Sequence, residues 1–212
     1  MKIAVIGTGS VGRALGGGLT TLGHQVVFGS RSPTSGRVER LVESAGAGVS
    51  AALPREAAAD AAVVFLATPW EGTEASVHSL EQLGDRVLVD CTNPLVPEMS
   101  GLDISRGRSG GERVAEWAAG GRVVKAFNTT GAGNLSDSKY NDGRLVMPLC
   151  GDDPGAREIV ADLALGLGFE PLDCGGLRAA ILLEHLAMLW ITLARDQGLG
   201  PQIGFALLRR EG

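Results

Sequence analysis

The chain has 212 residues, of which 44% are hydrophobic and 20% charged, and its formal net charge is −5. This is the composition of an ordinary globular protein, and the length suits one large domain or one domain with an appendage. The acidic balance, without a dense Lys/Arg stripe, argues against nucleic-acid binding. We find no secretory signal and no uncharged apolar stretch of membrane-spanning length, and we therefore expect a cytoplasmic protein that binds no membrane.

The three cysteines are widely spaced, odd in number and match no metal-binding pattern; they are Cys91, Cys150 and Cys174. Such a distribution is typical of reduced thiols in a cytosol. We predict no metal site and no disulfide framework.

The first half of the chain alternates short apolar runs with helix-like stretches. The runs are almost wholly apolar, as strands buried on both faces should be. They span residues 2–7, 24–30, 61–69, 86–93 and 122–129, with a further short strand near 48–51. Helices are predicted over residues 11–22, 36–46, 54–59, 72–82 and 112–119, and the last has a capping-box spacing from Ser109 to Glu112. This alternation predicts an α/β fold of the Rossmann type, a doubly wound and mainly parallel sheet.

The rhythm changes after Thr129. Residues 131–143 are polar and rich in turn formers, which predicts a loop. A strand over 144–151, a helix from Asp153-Pro154 to about 167, and a strand over 169–176 follow. The last helix, 177–195, is apolar almost all round, so it is either sandwiched within one chain or part of a subunit interface, and we favour the interface.

No linker or internal repeat divides the chain. We therefore predict a single Rossmann-type domain over 1–212, with a core of about 1–130. The extension of about 131–212 is expected to complete the pocket and to support dimerisation.

A glycine turn joins the first strand to the first helix, with the sequence Gly7-Thr8-Gly9-Ser10-Val11-Gly12. In this context the G-x-G-x-x-G pattern is a dinucleotide-binding signal. Gly7 permits a tight turn, Gly9 lets a pyrophosphate approach the backbone, and Gly12 lets helix and strand pack closely. The amides at the helix N-terminus then face the phosphates.

The end of the second strand distinguishes the two dinucleotides. NAD-specific sites carry an acid there, which accepts a hydrogen bond from the ribose 2′-hydroxyl. This chain has Ser30 and Arg31 instead, with Arg37 six residues further on. A hydroxyl and a guanidinium favour a 2′-phosphate, so we predict NADP(H).

Ligands of open parallel sheets bind beyond the carboxyl ends of the strands. Thr68 and Asn93 are candidates to hydrogen-bond the nicotinamide ribose or carboxamide, although Asn93 and Asn128 are alternatively turn caps. An apolar wall for a flat acceptor is expected from three residues of these ends, namely Pro69, Trp70 and Phe127. Asp90 is interpreted as structural.

No proton-transfer residue is evident. The only tyrosine, Tyr140, lies in the predicted loop without the lysine partner that short-chain dehydrogenases need, and none of the three lysines suits a 6-phosphogluconate-type site. We predict no catalytic side chain, as suits direct hydride exchange between two cofactors. Glu184 with His185 remains a possible acid/base pair.

Several motifs resemble the NADPH-dependent reductases of the deazaflavin coenzyme F420, over nearly the whole chain and in the same order. They are GTGSVGRALGGGLTTLGHQVVFGSR, ATPWEG, NPLVP, VVKAFNTTGAGNL, MPLCGDDPGAR and PLDCGGLRAAILLEHLAMLWITLA. The resemblance implies a Rossmann fold with a short C-terminal extension, a homodimer, and reversible hydride transfer between NADP(H) and F420.

By position, the resemblance assigns the residues from Thr8 to Val11 to the pyrophosphate, and Ser30 and Arg31 to the 2′-phosphate. It places the backbones near Thr68, Thr92 with Asn93, and Ala126 around the ribose and nicotinamide. The chain is also similar to the nucleotide-binding half of membrane metalloreductases. Two alternatives stay open: an NADPH-dependent reductase of another acceptor (an imine, a ketone or a flavin), and a non-catalytic NADP(H)-sensing module.

Overall fold

The computed structural model describes residues 1–104, 107–140 and 143–210. The strands are β1 (Lys2–Ile6), β2 (Gln25–Gly29), β3 (Val49–Ala52), β4 (Val63–Leu66), β5 (Val87–Asp90), β6 (Arg122–Lys125), β7 (Lys139–Tyr140), β8 (Gly143–Arg144), β9 (Val146–Gly151) and β10 (Glu170–Asp173). The helices are α1 (Ser10–Thr21), α2 (Gly36–Ala45), α3 (Pro54–Ala59), α4 (Thr73–His78), α5 (Gly110–Trp117), α6 (Ala132–Ser136), α7 (Pro154–Gly166) and α8 (Ala180–Ile191).

One eight-stranded sheet organises the described part of the chain, in the order β10-β9-β6-β5-β4-β1-β2-β3. The strands from β1 to β6 run parallel, β9 pairs antiparallel with β6, and β10 runs parallel to β9. The first six strands thus have the order of a dinucleotide-binding sheet, 3-2-1-4-5-6. This confirms the predicted fold class of a doubly wound, mainly parallel α/β sheet.

Two hydrophobic clusters fill the two faces of the sheet. The central strands β1, β4 and β5 contribute residues to both clusters, because alternate side chains of a strand point to opposite faces. Both faces being covered explains why these strands are apolar along their whole length.

Two predicted helix starts are confirmed at the level of hydrogen bonds. Ser109 Oγ accepts from the Glu112 N–H at 3.1 Å, and Glu112 accepts from the Ser109 N–H at 2.9 Å, which is a capping box. Asp153 accepts from the Ala156 N–H at 2.6 Å and precedes Pro154, the first residue of α7.

The predicted loop over 131–143 was wrong in part. The structure forms α6 and the hairpin of β7 with β8 there, while residues 141 and 142 lie outside the described residues. Helix α6 packs against α1, so a tertiary contact stabilises a segment whose sequence favours turns. The last helix also differs from its predicted bounds, because it begins with a 3-10 turn (Leu177–Ala179) and ends in a π-helical turn (Thr192–Asp196).

Candidate functional site

The glycine turn has the geometry that a dinucleotide requires. Gly7 has a φ of +115°, and a Cβ there would lie 2.3 Å from the Ala67 carbonyl oxygen. A Cβ on Gly12 would lie 2.1 Å from the Gly7 carbonyl oxygen, whereas one on Gly9 would meet nothing within 4 Å. Gly7 and Gly12 are therefore needed for the turn itself. Gly9 faces open space, so no packing within the described protein requires a glycine at this position.

Helix α1 presents unpaired amides beside this turn. Its first internal bond runs from the Arg13 N–H to the Gly9 carbonyl at 3.0 Å, so the amides of Ser10, Val11 and Gly12 precede the ladder. No acidic side chain occupies its first turn. Such a helix start favours an anion through its amides and its dipole.

The end of β2 brings hydroxyl and guanidinium groups towards the glycine turn. Ser30 Oγ accepts from the Ser32 N–H at 3.2 Å, and the Arg31 side chain is exposed. Arg37, from the first turn of α2, donates to the Thr8 carbonyl oxygen at 3.2 Å. This bond places a second cation directly against the glycine turn.

Thr68 follows β4 and lies at the same edge of the sheet. Its Oγ1 is 3.1 Å from Oγ1 of Thr73, which donates its own proton to the Pro69 carbonyl at 3.0 Å. Thr68 therefore donates to Thr73 and keeps its lone pairs for another donor. Pro69 itself is exposed.

The ends of β5 and β6 are joined by a pair of asparagines. Asn93 Nδ2 donates to the Asn128 carbonyl at 2.9 Å, and Asn128 Nδ2 donates to Asn93 Oδ1 at 2.9 Å. This pairing fixes both amide orientations, since flipping either would oppose two acceptors. Asn128 Oδ1 is then a buried acceptor with no partner within the described chain, at a residue only 5% exposed. A buried polar atom of this kind calls for a donor that the protein does not provide.

Three ionised side chains meet beneath the same edge, all with 0% exposure. Lys125 Nζ lies 2.9 Å from Asp90 Oδ2 and 2.9 Å from Glu184 Oε1, and it donates to the Thr92 carbonyl at 2.7 Å. Burial by itself would lower the pKa of Lys125, but the charges of Asp90 and Glu184 and their hydrogen bonds raise it above its ordinary value. The lysine is therefore a fixed ammonium ion, unsuited to proton transfer near neutral pH.

The predicted apolar wall is wrong for Phe127. Its side chain is 1% exposed and packs in the core, with ring centroids 5.6 Å from Phe65 and 6.4 Å from Phe169. Its φ of +59° lets the chain turn at the end of β6 while the ring stays inside. Trp70 packs against Trp117 with centroids 5.5 Å apart, and the Arg113 guanidinium lies 4.8 Å from its ring centroid, so it is at least partly engaged in packing.

The candidate acid/base groups are already engaged or lie on the surface. Glu184 accepts from the Gly110 and Gly111 N–H groups at 3.0 and 2.9 Å as well as pairing with Lys125. Tyr140 donates to Asn134 Oδ1 at 3.0 Å, and His185 is exposed with Nδ1 2.7 Å from the Ile181 carbonyl.

Two of the three cysteine thiols are equally unsuited to nucleophilic chemistry. Burial and the Asp90 carboxylate raise the pKa of Cys91 well above its usual value, against the pull of Lys125. Burial, with a contribution from Cys174, raises the pKa of Cys150 to about 12. Both thiols therefore stay protonated at neutral pH.

Helix α8 leaves much of its apolar surface uncovered. Leu182 is 67% exposed and Leu189 49%, while Leu183, Glu184 and Ala187 face the sheet. The segment Leu177–Asp196 is also long and apolar enough to cross a membrane by length and composition alone. Leu182 and Leu189 are seven residues apart and so lie on one face of the helix, which makes this face a candidate interaction surface.

Two residues of the site were missed or misread from the sequence. From the sequence, Lys125 is predicted only to lack a catalytic role, and Glu184 is only a candidate for an acid/base pair with His185, so the pairing of Lys125 with Glu184 is not predicted. A lysine inside an apolar strand and a glutamate inside an apolar helix are signals in themselves, because such residues are buried only when paired.

The fold and the glycine turn together define a Rossmann-type dinucleotide-binding protein. The family model for the coenzyme F420-dependent NADP oxidoreductases matches residues 2–94. The F420-dependent NADP reductase of Methanothermobacter thermautotrophicus is 34% identical over 209 residues, which are 91% of this chain and 89% of that protein. A crystal structure from Arthrobacter sp. FB24, provisionally assigned as an F420-dependent NADP reductase, is 30% identical with a TM-score of 0.90, covering 99% of this chain and 100% of that one.

The chain therefore belongs to the family of coenzyme F420-dependent NADP oxidoreductases. This confirms the resemblance stated from the motifs, the class of NADP-dependent oxidoreductase, and NADP(H) with coenzyme F420 as the cofactors of the family. The rat metalloreductase STEAP3 is 31% identical over 189 residues, 88% of this chain, but the chain spans only 36% of that protein's length.

Proposed function

We propose that the protein transfers a hydride directly between NADP(H) and the deazaflavin coenzyme F420, without side-chain acid/base catalysis. The nucleotide half of the proposal rests on the glycine turn. Gly9 offers unobstructed backbone beside the free amides of α1, which suits a pyrophosphate.

The 2′-phosphate of NADP(H) is assigned to the end of β2. Ser30 and Arg31 would contact it, and Arg37 is close enough to the turn to add a second guanidinium. A guanidinium makes charge-assisted hydrogen bonds to phosphate and has no comparable partner in NAD(H). NADP(H) is therefore expected to be the preferred dinucleotide.

The nicotinamide end is assigned to Thr68, Pro69, Thr92 with Asn93, and Ala126. The unpartnered Oδ1 of Asn128 lies at this edge and fits the carboxamide, whose N–H groups are donors of the kind that this acceptor lacks. A nearby backbone of amides and carbonyls can orient a ring without reacting with it.

The proposal that no side chain acts as an acid or base rests on one observation, which is that the charged groups at this edge are bound to one another. Asp90, Lys125 and Glu184 are buried and bound to one another, so none of them is available as an acid or base. When bound, the nicotinamide and deazaflavin rings supply the hydride chemistry themselves. The residues of the chain would hold the two rings in contact and exclude water.

We also propose that the protein is a cytoplasmic homodimer that buries the outer face of α8. Leu182 and Leu189 lie on this face, while the opposite side of the helix is tied to the sheet through Glu184. Replacing both leucines with glutamate should shift the mass measured by light scattering from dimer to monomer and leave the circular dichroism unchanged. A wild-type protein that is monomeric at all concentrations, or that partitions into vesicles, would contradict this part.

The decisive test is a titration of purified protein with NADPH and F420, followed by the absorbance of both. Hydride transfer should oxidise NADPH and reduce F420 in equal amounts. An imine, a ketone and flavin mononucleotide are assayed in parallel. Turnover of one of these without F420 turnover would favour another acceptor, and tight NADPH binding without any turnover would favour the sensing module.

A further inference from the structure

The buried ionic cluster of Asp90, Lys125 and Glu184 connects three elements that are distant in sequence. Asp90 ends β5, Lys125 ends β6, and Glu184 lies in the middle of α8. The ammonium group of Lys125 has three hydrogens and meets three acceptors, at 2.9 Å (Asp90), 2.9 Å (Glu184) and 2.7 Å (the Thr92 carbonyl). The lysine is thus fully coordinated, with its direction fixed in space.

Each carboxylate is held from the other side as well. Asp90 Oδ1 accepts from the Thr92 N–H at 2.9 Å and from the Thr92 hydroxyl at 2.7 Å. Glu184 accepts from the first two amides of α5, those of Gly110 and Gly111. The three side chains carry a net charge of −1, which the N-terminus of α5 offsets.

Helices α5 and α8 approach each other closely where Glu184 meets the amides of α5. A Cβ on Gly111 would lie 2.8 Å from the Cβ of Ala180, and one on Gly110 would lie 3.1 Å from Glu184 Oε1. Larger residues would separate the two helices and withdraw the amides from the carboxylate. The glycines at the start of α5 therefore permit the close approach on which the bonds to Glu184 depend.

The ionic cluster binds every polar group of Thr92, a residue at the edge of the sheet that is assigned to the nicotinamide. The N–H and hydroxyl of Thr92 are bound by Asp90, and its carbonyl is bound by Lys125. The next residue, Asn93, is paired with Asn128 across the edge. A continuous set of hydrogen bonds thus runs from α8 through Lys125 to the backbone assigned to the nicotinamide.

A buried ionic cluster is a poor means of gaining stability, because apolar side chains of similar volume often stabilise as well or better. It is a good means of fixing one geometry, since each group has one arrangement that satisfies all its bonds. We propose that Lys125 is a positioning residue, which transmits the seating of α8 to Thr92 and Asn93 and so sets the alignment of the nicotinamide ring. This inference rests on the proposed function and adds to it a role for three residues that touch neither cofactor.

The test compares two ligands that share only the adenosine end. NADP⁺ reaches the nicotinamide edge, whereas 2′,5′-ADP ends before it and depends on the glycine turn and the 2′-phosphate site. Calorimetry would give both dissociation constants for the wild type, for Lys125→Met and for Glu184→Gln. Glu184→Gln keeps the side-chain volume and leaves a neutral Lys125–Asp90 pair, so it is the variant expected to fold if Lys125→Met does not. Glu116→Gln, at an exposed position of α5, is the matched control.

We expect Glu184→Gln to weaken NADP⁺ binding about tenfold, to leave 2′,5′-ADP binding within about twofold, and to lower the rate of hydride transfer. The control variant should resemble the wild type. Equal weakening of both ligands, or no weakening of either, would overturn the positioning role. A wild-type protein that binds neither ligand would instead overturn the proposed use of NADP(H), so the two failures are distinguishable.

Discussion

Replacing Gly9 and Gly12 separately with alanine should distinguish the two roles of the glycine turn, which are ligand binding at Gly9 and close packing at Gly12. Gly9 has a φ of −75° and a ψ of −170°, which alanine adopts freely, and its Cβ would meet nothing within 4 Å. The free energy of unfolding of Gly9→Ala should therefore stay within about 0.5 kcal/mol of the wild type. Gly12 is different, because its Cβ would lie 2.1 Å from a backbone oxygen that cannot move aside.

The cost at Gly12 follows from overpacking, which typically destabilises by about 1–3 kcal/mol. For a chain of this length that cost should lower the melting temperature by roughly 2–12 °C. For Gly9→Ala the substitution should instead weaken the binding of the dinucleotide. The methyl group would hold the pyrophosphate away from the amides of α1. Losing two charge-assisted hydrogen bonds, at about 1.5 kcal/mol each, weakens binding roughly 100-fold.

Thermal unfolding without ligand and calorimetry with NADPH measure the two effects independently. Gly9→Ala should melt like the wild type and bind poorly, whereas Gly12→Ala should melt early. If Gly9→Ala binds NADPH within about twofold of the wild type, the pyrophosphate does not approach this turn. The assignment of the nucleotide site would then be wrong.

Three further outcomes are expected. Arg31→Ala should weaken NADPH binding about 10- to 150-fold without changing NADH binding, and Arg37→Ala should cause a smaller loss. Calorimetry measures both affinities, and equal losses for the two dinucleotides would contradict the assignment of the 2′-phosphate. A hydrogen bond from the Ser109 N–H lowers the pKa of Glu112 below 4.5, so the carboxylate stabilises the fold above that pH, and its contribution is lost as pH falls through the lowered value. Thermal melts of Glu112→Gln should therefore fall below the wild type at pH 7 and converge with it in acid; a gap independent of pH would refute the capping role. The 3-acetylpyridine analogue of NADP⁺ lacks the amide N–H groups, so the wild type should bind it several-fold more weakly than NADP⁺, and Asn128→Ala should abolish that preference; equal binding by the wild type would exclude Asn128 as the carboxamide acceptor.

Most of the fold was predictable because the burial of each strand is visible in its own apolar sequence. A parallel strand covered on both faces must be apolar throughout, and β1, β4 and β5 are recognisable for that reason. The predicted loop over 131–143 was the exception, since α6 depends on its contact with α1 and not on its own helical propensity.

The sequence alone identifies residues of the candidate site whose role depends on backbone shape. It does not identify residues whose role depends on side-chain partners distant in the chain. Gly7 and Gly12 were identified from spacing alone, and the structure gives each a backbone oxygen that would clash with any larger residue. The partner of Lys125 could not be read from the sequence, because Glu184 lies 59 residues away and reaches it only through the packing of α8. Phe127 was misplaced for a related reason: its ring packs with Phe65 and Phe169 in the core, and these contacts cannot be read from its position at a strand end.

Under the proposed function, the placement of charge explains how an edge with three ionic groups suits a hydride transfer that uses none of them as an acid or base. Had Lys125 been exposed to the cleft, it would be free to donate a proton to a bound acceptor. With 0% exposure and three acceptors around it, its charge is compensated locally and its protons are committed. The same bonds that remove it from acid/base chemistry hold the Thr92 carbonyl in place. Under the proposed function, an edge whose charged groups are bound to one another and whose Thr92 backbone is held by hydrogen bonds suits hydride transfer between two aligned rings, because the protein then contributes mainly alignment and the exclusion of water.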